Sequence, residues 1–323
     1  MRHDIFLCME RSIMSTYLVT GAAGFIGSAL SRRLVTEGNT VVTIDNLSTG
    51  FESNIPEGVV FIQGDCGDAE VYKKLPDEQY DAIFHIAGQS SGEISFDDPI
   101  YDIRTNAEST LLLLQFALKN QCTRVIYAST MSVYGDKPDQ PIAENERCIP
   151  ESFYGVAKLA SEHYLRIYEQ YGVHSTALRL FNVYGPGQNL DNLRQGMASI
   201  FLSQMLKDKH IHVKGSPDRF RDLIYIDDVV DACIKTLNCN ESWGKVINIA
   251  TGKKTTVGEL VEKLINSQEE EISVEYEGCT QGDIHGIYAD ISKMQSVLGI
   301  ENLTPVDVGL QEMVRWAIAQ QVS

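Results

Sequence analysis

Short apolar runs recur along the first half of the chain, and stretches with helical spacing of apolar positions separate them. Apolar strands that alternate with helices predict a parallel sheet covered on both faces. We expect strands at Tyr17–Thr20, Val41–Ile44, Val59–Ile62, Ala82–Ile86, Arg124–Ala128 and Ser175–Leu180. The pattern predicts an α/β fold with a Rossmann-type doubly wound parallel sheet and a smaller C-terminal α/β lobe.

The first predicted strand runs directly into a glycine-rich loop, and a helical pattern follows. The loop reads Thr20-Gly21-Ala22-Ala23-Gly24-Phe25-Ile26-Gly27. Gly21 permits a tight turn, Gly24 lets the backbone approach a pyrophosphate, and Gly27 allows close helix packing, while amides at the helix N-terminus face the anion. The alternative is an ordinary glycine-rich turn. The order of strand, loop and helix favours a dinucleotide site.

The second predicted strand is followed by Asp45. Its carboxylate lies about where an acidic group bonds the ribose hydroxyls of NAD, and its charge would repel the 2′-phosphate of NADP. An ordinary aspartate at a strand end is the alternative. Because the acid follows the glycine loop in register, we expect NAD as the cofactor.

Tyr154 and Lys158 are four residues apart in a predicted helix, so they share one face. An ammonium group there can stabilise a phenolate, whose ordinary pKa is about 10. Lowering that pKa by roughly 3 units needs about 4 kcal/mol, which Lys158 and a cationic nicotinamide ring could share. Alone, such a pair is usually a solvated helical contact. Tyr154 is, however, the only one of 14 tyrosines followed four residues later by lysine.

Composition narrows the class of protein. The 323 residues exceed one usual domain, and 27 basic against 44 acidic residues give a net charge of −17, which disfavours nucleic acid and anionic membranes as partners. The seven cysteines form no Cys-x-x-Cys motif, which indicates reduced thiols and a cytoplasmic protein. The only histidine spacing of interest, His210-x-His212, indicates one face of a strand, so we assign no metal.

No apolar run is long enough to span a membrane, and Ile5–Met9 is too short for the core of a secretory signal. Because the first predicted strand begins near Tyr17, residues 1–14 should precede the fold. Either Met1 or Met14 could then be the natural start.

Further motifs follow in a fixed order. They are Asp45-Asn46-Leu47-Ser48-Thr49-Gly50, Gly64-Asp65, His85-Ile86-Ala87-Gly88, Ser129-Thr130 with Val133-Tyr134-Gly135, Arg179 to Pro186, Arg221-Asp222 with Tyr225 to Val229, and Gly282-Asp283 with Ala289 to Lys293. With the glycine loop and the Tyr154/Lys158 pair, they make the chain resemble the extended short-chain dehydrogenase/reductase family, in particular its sugar-nucleotide epimerases and dehydratases. The resemblance runs from about residue 16 to the end.

The resemblance implies that Tyr154 is the acid/base and that Lys158 holds the nicotinamide ribose and depresses the tyrosine pKa. It implies that Thr130 bonds the reacting sugar oxygen, with Ser129 as its substitute, although Thr130 could simply cap its strand end. The implied NAD groove consists of Gly21, Gly24, Phe25, Ile26, Gly27, Asp45, Asn46, Ser48, Thr49, Gly50, Asp65, Cys66, Ile86, Ala87, Gly88, Asn106, Tyr154 and Lys158, with Asp65 and Cys66 by the adenine.

The implied nucleotide-sugar site consists of Ser91, Thr130, Asn182, Arg194, Arg219, Arg221, Asp283 and Ile287. Arg221 beside Asp222 could instead form a surface ion pair, but a guanidinium suits a phosphate well. The family often has an arginine two residues before its last Gly-Asp, and Thr280 stands there in this chain. Arg219 or Arg194 could replace that cation, or either could be a solvated surface charge.

Two other departures bear on the reaction. Family 4,6-dehydratases carry an Asp-Glu pair directly after the catalytic threonine, because eliminating water needs a further acid and base. Met131-Ser132 stands there instead, which favours an epimerase. Ile287 falls where 4-epimerases vary a gatekeeper: small side chains admit N-acetylated sugars and tyrosine tends to exclude them. Isoleucine leaves that specificity open.

The leading hypothesis is therefore an NAD-dependent nucleotide-sugar 4-epimerase acting on UDP-glucose and UDP-galactose through a transient 4-keto sugar. Alternatives are another sugar-nucleotide epimerase or reductase using a CDP- or dTDP-sugar, and a noncatalytic NAD-binding regulator. We expect residues 1–183 with 223–250 to form the NAD domain, and residues 184–222 with 251–323 the nucleotide-sugar lobe.

Two long helical patterns, at 99–120 and 152–172, carry more apolar surface than one buried stripe requires. They predict a homodimer through a four-helix bundle, as is common in this family. A wholly intramolecular core is the alternative.

Overall fold

The computed structural model describes residues 14–268, 270–278 and 285–322. Its strands are β1 (Thr16–Thr20), β2 (Thr40–Asp45), β3 (Val60–Gln63), β4 (Ala82–His85), β5 (Arg124–Thr130), β6 (His174–Leu180), β7 (Asn182–Tyr184), β8 (His210–Lys214), β9 (Phe220–Arg221), β10 (Leu223–Tyr225), β11 (Lys245–Ile249), β12 (Thr255–Thr256), β13 (Ser273–Glu277) and β14 (Gly286–Ile287). Its helices are α1 (Phe25–Thr36), α2 (Pro99–Ile103), α3 (Ser109–Lys119), α4 (Phe153–Tyr168), α5 (Met197–Asp208), α6 (Ile226–Leu237), α7 (Val257–Ile265), α8 (Ser292–Leu298) and α9 (Val306–Val322). Residues 1–13, 269, 279–284 and 323 lie outside this description, and they include the candidate start segment, Thr280 and Asp283.

A seven-stranded parallel sheet, in the order β11-β6-β5-β4-β1-β2-β3, forms the centre of the described structure. The six strands expected from the apolar runs all occur in it, so the prediction of a doubly wound α/β fold is confirmed. The seventh strand, β11, pairs in parallel with β6. The chain therefore returns to the central sheet after β10 and α6.

Successive residues of the central strands point to opposite faces and enter two separate hydrophobic clusters. Val19, Phe84 and Ile126 pack on one face with α1 and α6. Leu18 and Val125 pack on the other face with α3 and α4. This alternation is expected for strands buried on both faces, and it gives each helix layer its own apolar surface.

Three smaller sheets accompany the central sheet in the described residues. β7 pairs with β10, β9 lies between β12 and β14, and β8 pairs with β13. His210 and His212 alternate on β8 with buried residues, as the strand interpretation of their spacing predicted. These short sheets carry several residues expected to contact the nucleotide sugar.

The helical segment predicted over residues 99–120 is not one regular α-helix. Asp98 caps its start by accepting a hydrogen bond of 2.9 Å from the Tyr101 amide, and Pro99 occupies the first turn, where its missing N–H costs nothing. A π-helical turn at Arg104–Glu108 then separates α2 from α3. Because π turns often occur at functional sites, the residues of this turn are candidates for a functional role.

Across the described ranges, no helix has both the length and the apolar character needed to cross a membrane. The same part of the chain contains no group of three or more histidine, cysteine, aspartate or glutamate side chains suited to a metal ion.

Candidate active site

In the glycine loop between β1 and α1, backbone segments approach each other so closely that no side chain would fit between them. Gly21 has a φ of +76°, and a Cβ there would lie 2.8 Å from the Ala87 amide nitrogen. A Cβ on Gly27 would lie only 2.0 Å from the Gly21 carbonyl oxygen. The loop therefore needs glycine at both positions, as expected for a cradle that places backbone amides against a pyrophosphate.

A cavity of about 420 Å³ opens above this loop. From the predicted NAD groove it gathers Gly21, Gly24, Phe25, Ile26, Gly27, Asp45, Asn46, Ser48, Thr49, Gly50, Asp65, Cys66, Ile86, Ala87 and Gly88. The segment after β7 also lines it, through Gly187, Gln188, Asn189, Asn192 and Gln195, which sequence reasoning missed. The polar composition of that segment was the only feature of the sequence from which a place at the cavity could have been predicted.

Asp45 is buried at the end of β2, on the wall of the cavity. Its two carboxylate oxygens accept hydrogen bonds from the amides of Ala23, at 2.9 Å, and Leu47, at 2.8 Å. Each oxygen retains a further lone pair for a ribose hydroxyl. The position therefore fits NAD, and it also shows that Asp45 supports the glycine loop itself.

The start of α4 positions Tyr154 and Lys158. Ser152 caps the helix by accepting a hydrogen bond of 3.1 Å from the Gly155 amide. Both Tyr154 and Lys158 are buried. The Lys158 ammonium donates to the Ala128 carbonyl at 3.0 Å and lies 5.9 Å from the centre of the Tyr154 ring. The helix therefore brings the pair to the C-terminal end of β5, as predicted.

Thr130, the last residue of β5, has two roles in the structure. Its hydroxyl oxygen accepts a hydrogen bond of 3.1 Å from the Ser132 amide, which is the local cap considered from the sequence. It also lies near enough to Tyr154 to oppose the rise of the tyrosine pKa. Thr130 further donates to the Ser132 hydroxyl at 3.2 Å. Ser132 is thus a further hydroxyl near the site, and its spacing two residues after Thr130 was the available signal.

Burial controls the acid/base properties of this pair. It raises the pKa of Tyr154 to about 12, a change that the hydrogen bond with Thr130 opposes and the charge of Asp102 reinforces. Burial lowers the pKa of Lys158 to about 8, against the opposing effect of Asp102. The net pKa of Tyr154 therefore lies above its ordinary value, and the lowering expected from Lys158 stays a prediction.

Ser129 requires a correction. Its hydroxyl donates to Glu162 at 2.5 Å, and the same carboxylate forms a buried ion pair with Arg179, at 2.7 Å. Because alternate residues of a strand point to opposite sides, Ser129 enters this network while Thr130 reaches Tyr154. Ser129 therefore supports the buried ion pair rather than substituting for Thr130.

Arg221 lies on β9 and is only 6% exposed, so it is not a surface side chain. Its guanidinium donates to the Phe220 carbonyl at 2.7 Å and the His285 carbonyl at 3.4 Å. Burial, with a smaller contribution from the charge of Arg219, lowers its pKa to about 10. Asp222 is fully buried and accepts from the Thr251 amide at 2.8 Å. The alternative of an exposed Arg221/Asp222 ion pair is therefore wrong.

Ile287 and Asn182 lie in the same region. Ile287 is the register partner of Arg221 across β14 and β9, and it is 2% exposed. The side-chain oxygen of Asn182 is buried without a hydrogen-bond partner among the described residues. Asp283, expected beside them, lies outside the described residues.

The other two candidate cations differ from Arg221. Arg194 is exposed and pairs with Glu93 at 3.1 Å and Asp97 at 2.8 Å. Two carboxylates therefore hold it, which favours the alternative of a surface charge, and a role at the phosphates stays a prediction. Arg219 donates to the carbonyls of Ser216 and Lys214 and lies near enough to lower the pKa of Arg221.

Ser91 joins the two sides of the cleft. Its hydroxyl donates to the Arg194 carbonyl at 3.3 Å and accepts from the Ile94 amide at the same distance. Asn106 lies in the π-helical turn and is fully buried. It borders Gly88 in the groove, since a Cβ on that glycine would lie 2.4 Å from the Asn106 side-chain oxygen.

The glycine cradle, the acid after β2 and the buried tyrosine–lysine pair define an α/β enzyme that binds a dinucleotide. Residues 17–250 match the model of the NAD dependent epimerase/dehydratase family. The chain belongs to this family, and NAD is its cofactor.

Individual relatives are similar over almost their whole length. A putative UDP-glucose 4-epimerase from Methanocaldococcus jannaschii is 32% identical, with 93% of this chain and 97% of the relative covered. The structure of a UDP-glucose 4-epimerase from Thermotoga maritima, solved with UDP-glucose, matches with a TM-score of 0.89 and 32% identity over 95% of this chain and 100% of the other. A UDP-N-acetylglucosamine 4-epimerase from Methanobrevibacter ruminantium M1, solved with UDP-N-acetylmuramic acid, also has a TM-score of 0.89 and 32% identity, over 95% and 99% of the two chains.

Proposed function

We propose that this chain is an NAD-dependent UDP-sugar 4-epimerase and that UDP-glucose and UDP-galactose are its substrates. The observation that carries the proposal is the burial of Tyr154 and Lys158 on one face of α4, with the Lys158 ammonium bonded to the end of β5 and close to Gly88 in the groove. Similarity to 4-epimerases over nearly the whole chain supports the same reaction.

In this proposal Tyr154 is the acid/base. As a phenolate it accepts the proton of the sugar 4-hydroxyl, and it returns that proton after the other face of C4 is reduced. Thr130 donates a hydrogen bond to the same sugar oxygen and so orients it. Between the two steps the cleft holds a 4-keto sugar while the sugar turns. Met131 and Ser132, in place of an acid–base pair, provide no groups for eliminating water.

When bound, NAD⁺ supplies a hydride acceptor, then the donor, and a positive charge on the nicotinamide ring. Lys158 supplies the positive charge of the polypeptide. A phenol with a pKa of about 12 is mostly protonated at neutral pH. Tyr154 therefore requires a favourable electrostatic environment to act as a base, and a charged Lys158 is the group within the chain that provides it.

Arg221 is proposed to bind the diphosphate, with Asn182 and Ile287 near the sugar. Burial of Arg221 beside Ile287 supports this assignment, since a desolvated guanidinium binds a phosphate strongly and in a fixed geometry. The roles of Asp283 and of the substitution at Thr280 remain predictions from the sequence. The division into an NAD domain and a nucleotide-sugar lobe also remains a prediction, and the return of β11 to the central sheet supports it.

A panel of nucleotide sugars tests the proposed function. UDP-glucose, UDP-galactose, UDP-N-acetylglucosamine, CDP-glucose and dTDP-glucose are incubated separately with the protein, and products are identified by NMR while NADH absorbance is followed. We expect C4 epimers from the UDP-hexoses and no net formation or consumption of NADH. A reduced product that consumes NADH stoichiometrically would indicate a reductase, and binding without turnover a regulator.

We also propose a homodimer formed through α2–α3 and α4. Several apolar side chains on this surface are exposed in the single chain: Phe96, Ile100, Ile103, Phe153 and Val156. Exposed apolar side chains grouped on neighbouring helices are typical of a subunit interface. Val156→Glu should give a monomer by light scattering, whereas Val308→Glu, at an exposed apolar position on α9, should leave the dimer intact.

A cytoplasmic location is proposed from the cysteine pattern and is tested by cell fractionation.

A further inference from the structure

A buried carboxylate next to the proposed acid/base has no role in the reaction so far. Asp102, on α2, is 1% exposed. One of its oxygens accepts hydrogen bonds from the side-chain amides of Gln89, at 2.8 Å, and Asn106, at 3.2 Å. The other oxygen has no hydrogen-bond partner among the described residues. Because a buried charge is costly unless it is paired, this arrangement calls for a compensating charge nearby.

Lys158 is that compensating charge. Burial raises the pKa of Asp102 and lowers that of Lys158, and the electrostatic interaction between the two groups opposes both shifts by stabilising the charged form of each. Asn106 links them in space: its amide nitrogen donates to Asp102, and its oxygen faces the same point beside Gly88 as the lysine. A Cβ at Gly88 would lie 2.4 Å from that oxygen and 3.3 Å from the Lys158 nitrogen.

The remaining titratable groups around the pair leave this balance in place. They are His85 on β4, Tyr127 on β5, and Glu162 on α4 with its partner Arg179 on β6. Burial lowers the pKa of His85 to about 3, so the imidazole is neutral at pH 7. Burial raises the pKa of Tyr127, so that phenol is neutral too. Glu162 and Arg179 neutralise each other.

We propose that Asp102 is a positioning residue of the reaction, whose buried carboxylate balances Lys158 and thereby sets the electrostatic environment of the Tyr154 hydroxyl. The carboxylate favours the protonated form of Tyr154, because one negative charge disfavours the formation of another nearby. Its effect on Lys158 is to keep the ammonium charged. The inference rests on the proposed function of Tyr154 as acid/base.

Asp102→Asn tests it, since the amide keeps the shape and one acceptor but removes the charge. Without that charge both Tyr154 and Lys158 lose their protons more readily, so both limbs of the kcat profile should move to lower pH, by roughly one unit for a nearby buried charge. Asp228→Asn is the matched control. Asp228 is also buried and accepts two hydrogen bonds, from the amide and hydroxyl of Thr304, but it lies outside the proposed site.

A second readout does not depend on turnover. Tyrosinate absorbance, with the Tyr154→Phe protein subtracted, reports the ionisation of Tyr154 directly, so it separates failure of this inference from failure of the proposed epimerase activity. The titration should also move to lower pH in Asp102→Asn. If Asp102→Asn does not fold, Asp102→Ser also removes the charge and keeps an oxygen that can accept from Gln89 or Asn106, and a shift in the same direction is expected. A folded variant whose profile and titration both stay at the wild-type positions would overturn the proposal, even if its rate falls.

Discussion

The cofactor end and the nucleotide-sugar end of the cleft are built from different parts of the chain. At the cofactor end, short consecutive loops supply backbone, and the close approach of Gly27 to Gly21 leaves no room for a side chain. At the proposed nucleotide-sugar end, single side chains come from separated segments: α5 and β8 lie between the strands of Asn182 and Arg221, and Ile287 comes from β14. The first construction depends on local chain geometry, and the second on tertiary packing. The two ends should therefore fail independently when they are altered, and Tyr154 lies where they meet.

Replacing Tyr154 should have the largest effect. Phenylalanine keeps the ring and removes the ionisable oxygen, so Tyr154→Phe should lower kcat by about 100-fold to 10,000-fold, the usual contribution of general acid/base catalysis. The variant should still retain NAD, because the glycine cradle is unchanged. Single-turnover rates and the nucleotide released on denaturation check both parts. A near-normal rate would remove Tyr154 from the mechanism.

Arg221→Ala should affect only the nucleotide-sugar end. Loss of a buried, charge-assisted contact should weaken binding of UDP by about 2–5 kcal/mol, as measured by calorimetry, while NAD retention is spared. UDP is the appropriate ligand because it keeps the diphosphate and lacks the hexose.

Two neighbouring arginines serve as controls for that variant. Arg194→Ala should leave UDP affinity almost unchanged, since Glu93 and Asp97 already hold this exposed side chain. Arg219→Ala should cause a smaller loss than Arg221→Ala if Arg219 replaces the cation missing at Thr280. Unchanged UDP affinity in Arg221→Ala would move the phosphate site elsewhere.

Gly27→Ala should affect the cofactor end instead. The added methyl group would overlap the Gly21 carbonyl, and forced overpacking of this kind typically costs about 1–3 kcal/mol. We expect less bound NAD and a lower melting temperature. Gly258→Ala is the control, because a Cβ there meets its neighbours at an ordinary 3.4 Å or more. Full retention of NAD by Gly27→Ala would show that the loop can move to make room for a methyl group, which would contradict the prediction.

Asp45→Asn should have the smallest effect. The purified wild-type protein should release NAD(H) rather than NADP(H). Asparagine at position 45 removes the charge that repels a 2′-phosphate, so the ratio of NAD affinity to NADP affinity should fall by about tenfold, or about 1.4 kcal/mol. Melting temperature must be measured as well, because the carboxylate also accepts from the Ala23 and Leu47 amides. A wild-type protein that releases mainly NADP(H) would contradict the assignment.

The same contrast explains what the sequence could predict. Strand periodicity and the glycine loop are local patterns, so they predicted the six sheet strands and the loop at the cavity, whereas most other groove residues were predicted from the resemblance to the family. The direction of Ser129 into the Glu162/Arg179 pair depends on which side of β5 faces α4, and the partners of Arg194 come from a loop about 100 residues away along the chain. Neither is visible in a local pattern.

The π-helical turn at Arg104–Glu108 was missed for a similar reason. Its sequence has ordinary helical periodicity, so only the packed structure reveals the change in hydrogen bonding. Asp102 was missed with it, although its position four residues before Asn106 places both on one helical face. That spacing was the available signal.

The central claim is that one active site removes hydrogen from C4 of the sugar and returns it to the opposite face of the same carbon. UDP-glucose carrying deuterium at C4 tests this most directly, with NMR used to locate the label in the product. The account predicts UDP-galactose that retains deuterium at C4, with no net change in NADH. Galactose product that has lost the label to solvent, or no C4 epimer from a folded, NAD-loaded protein, would contradict it.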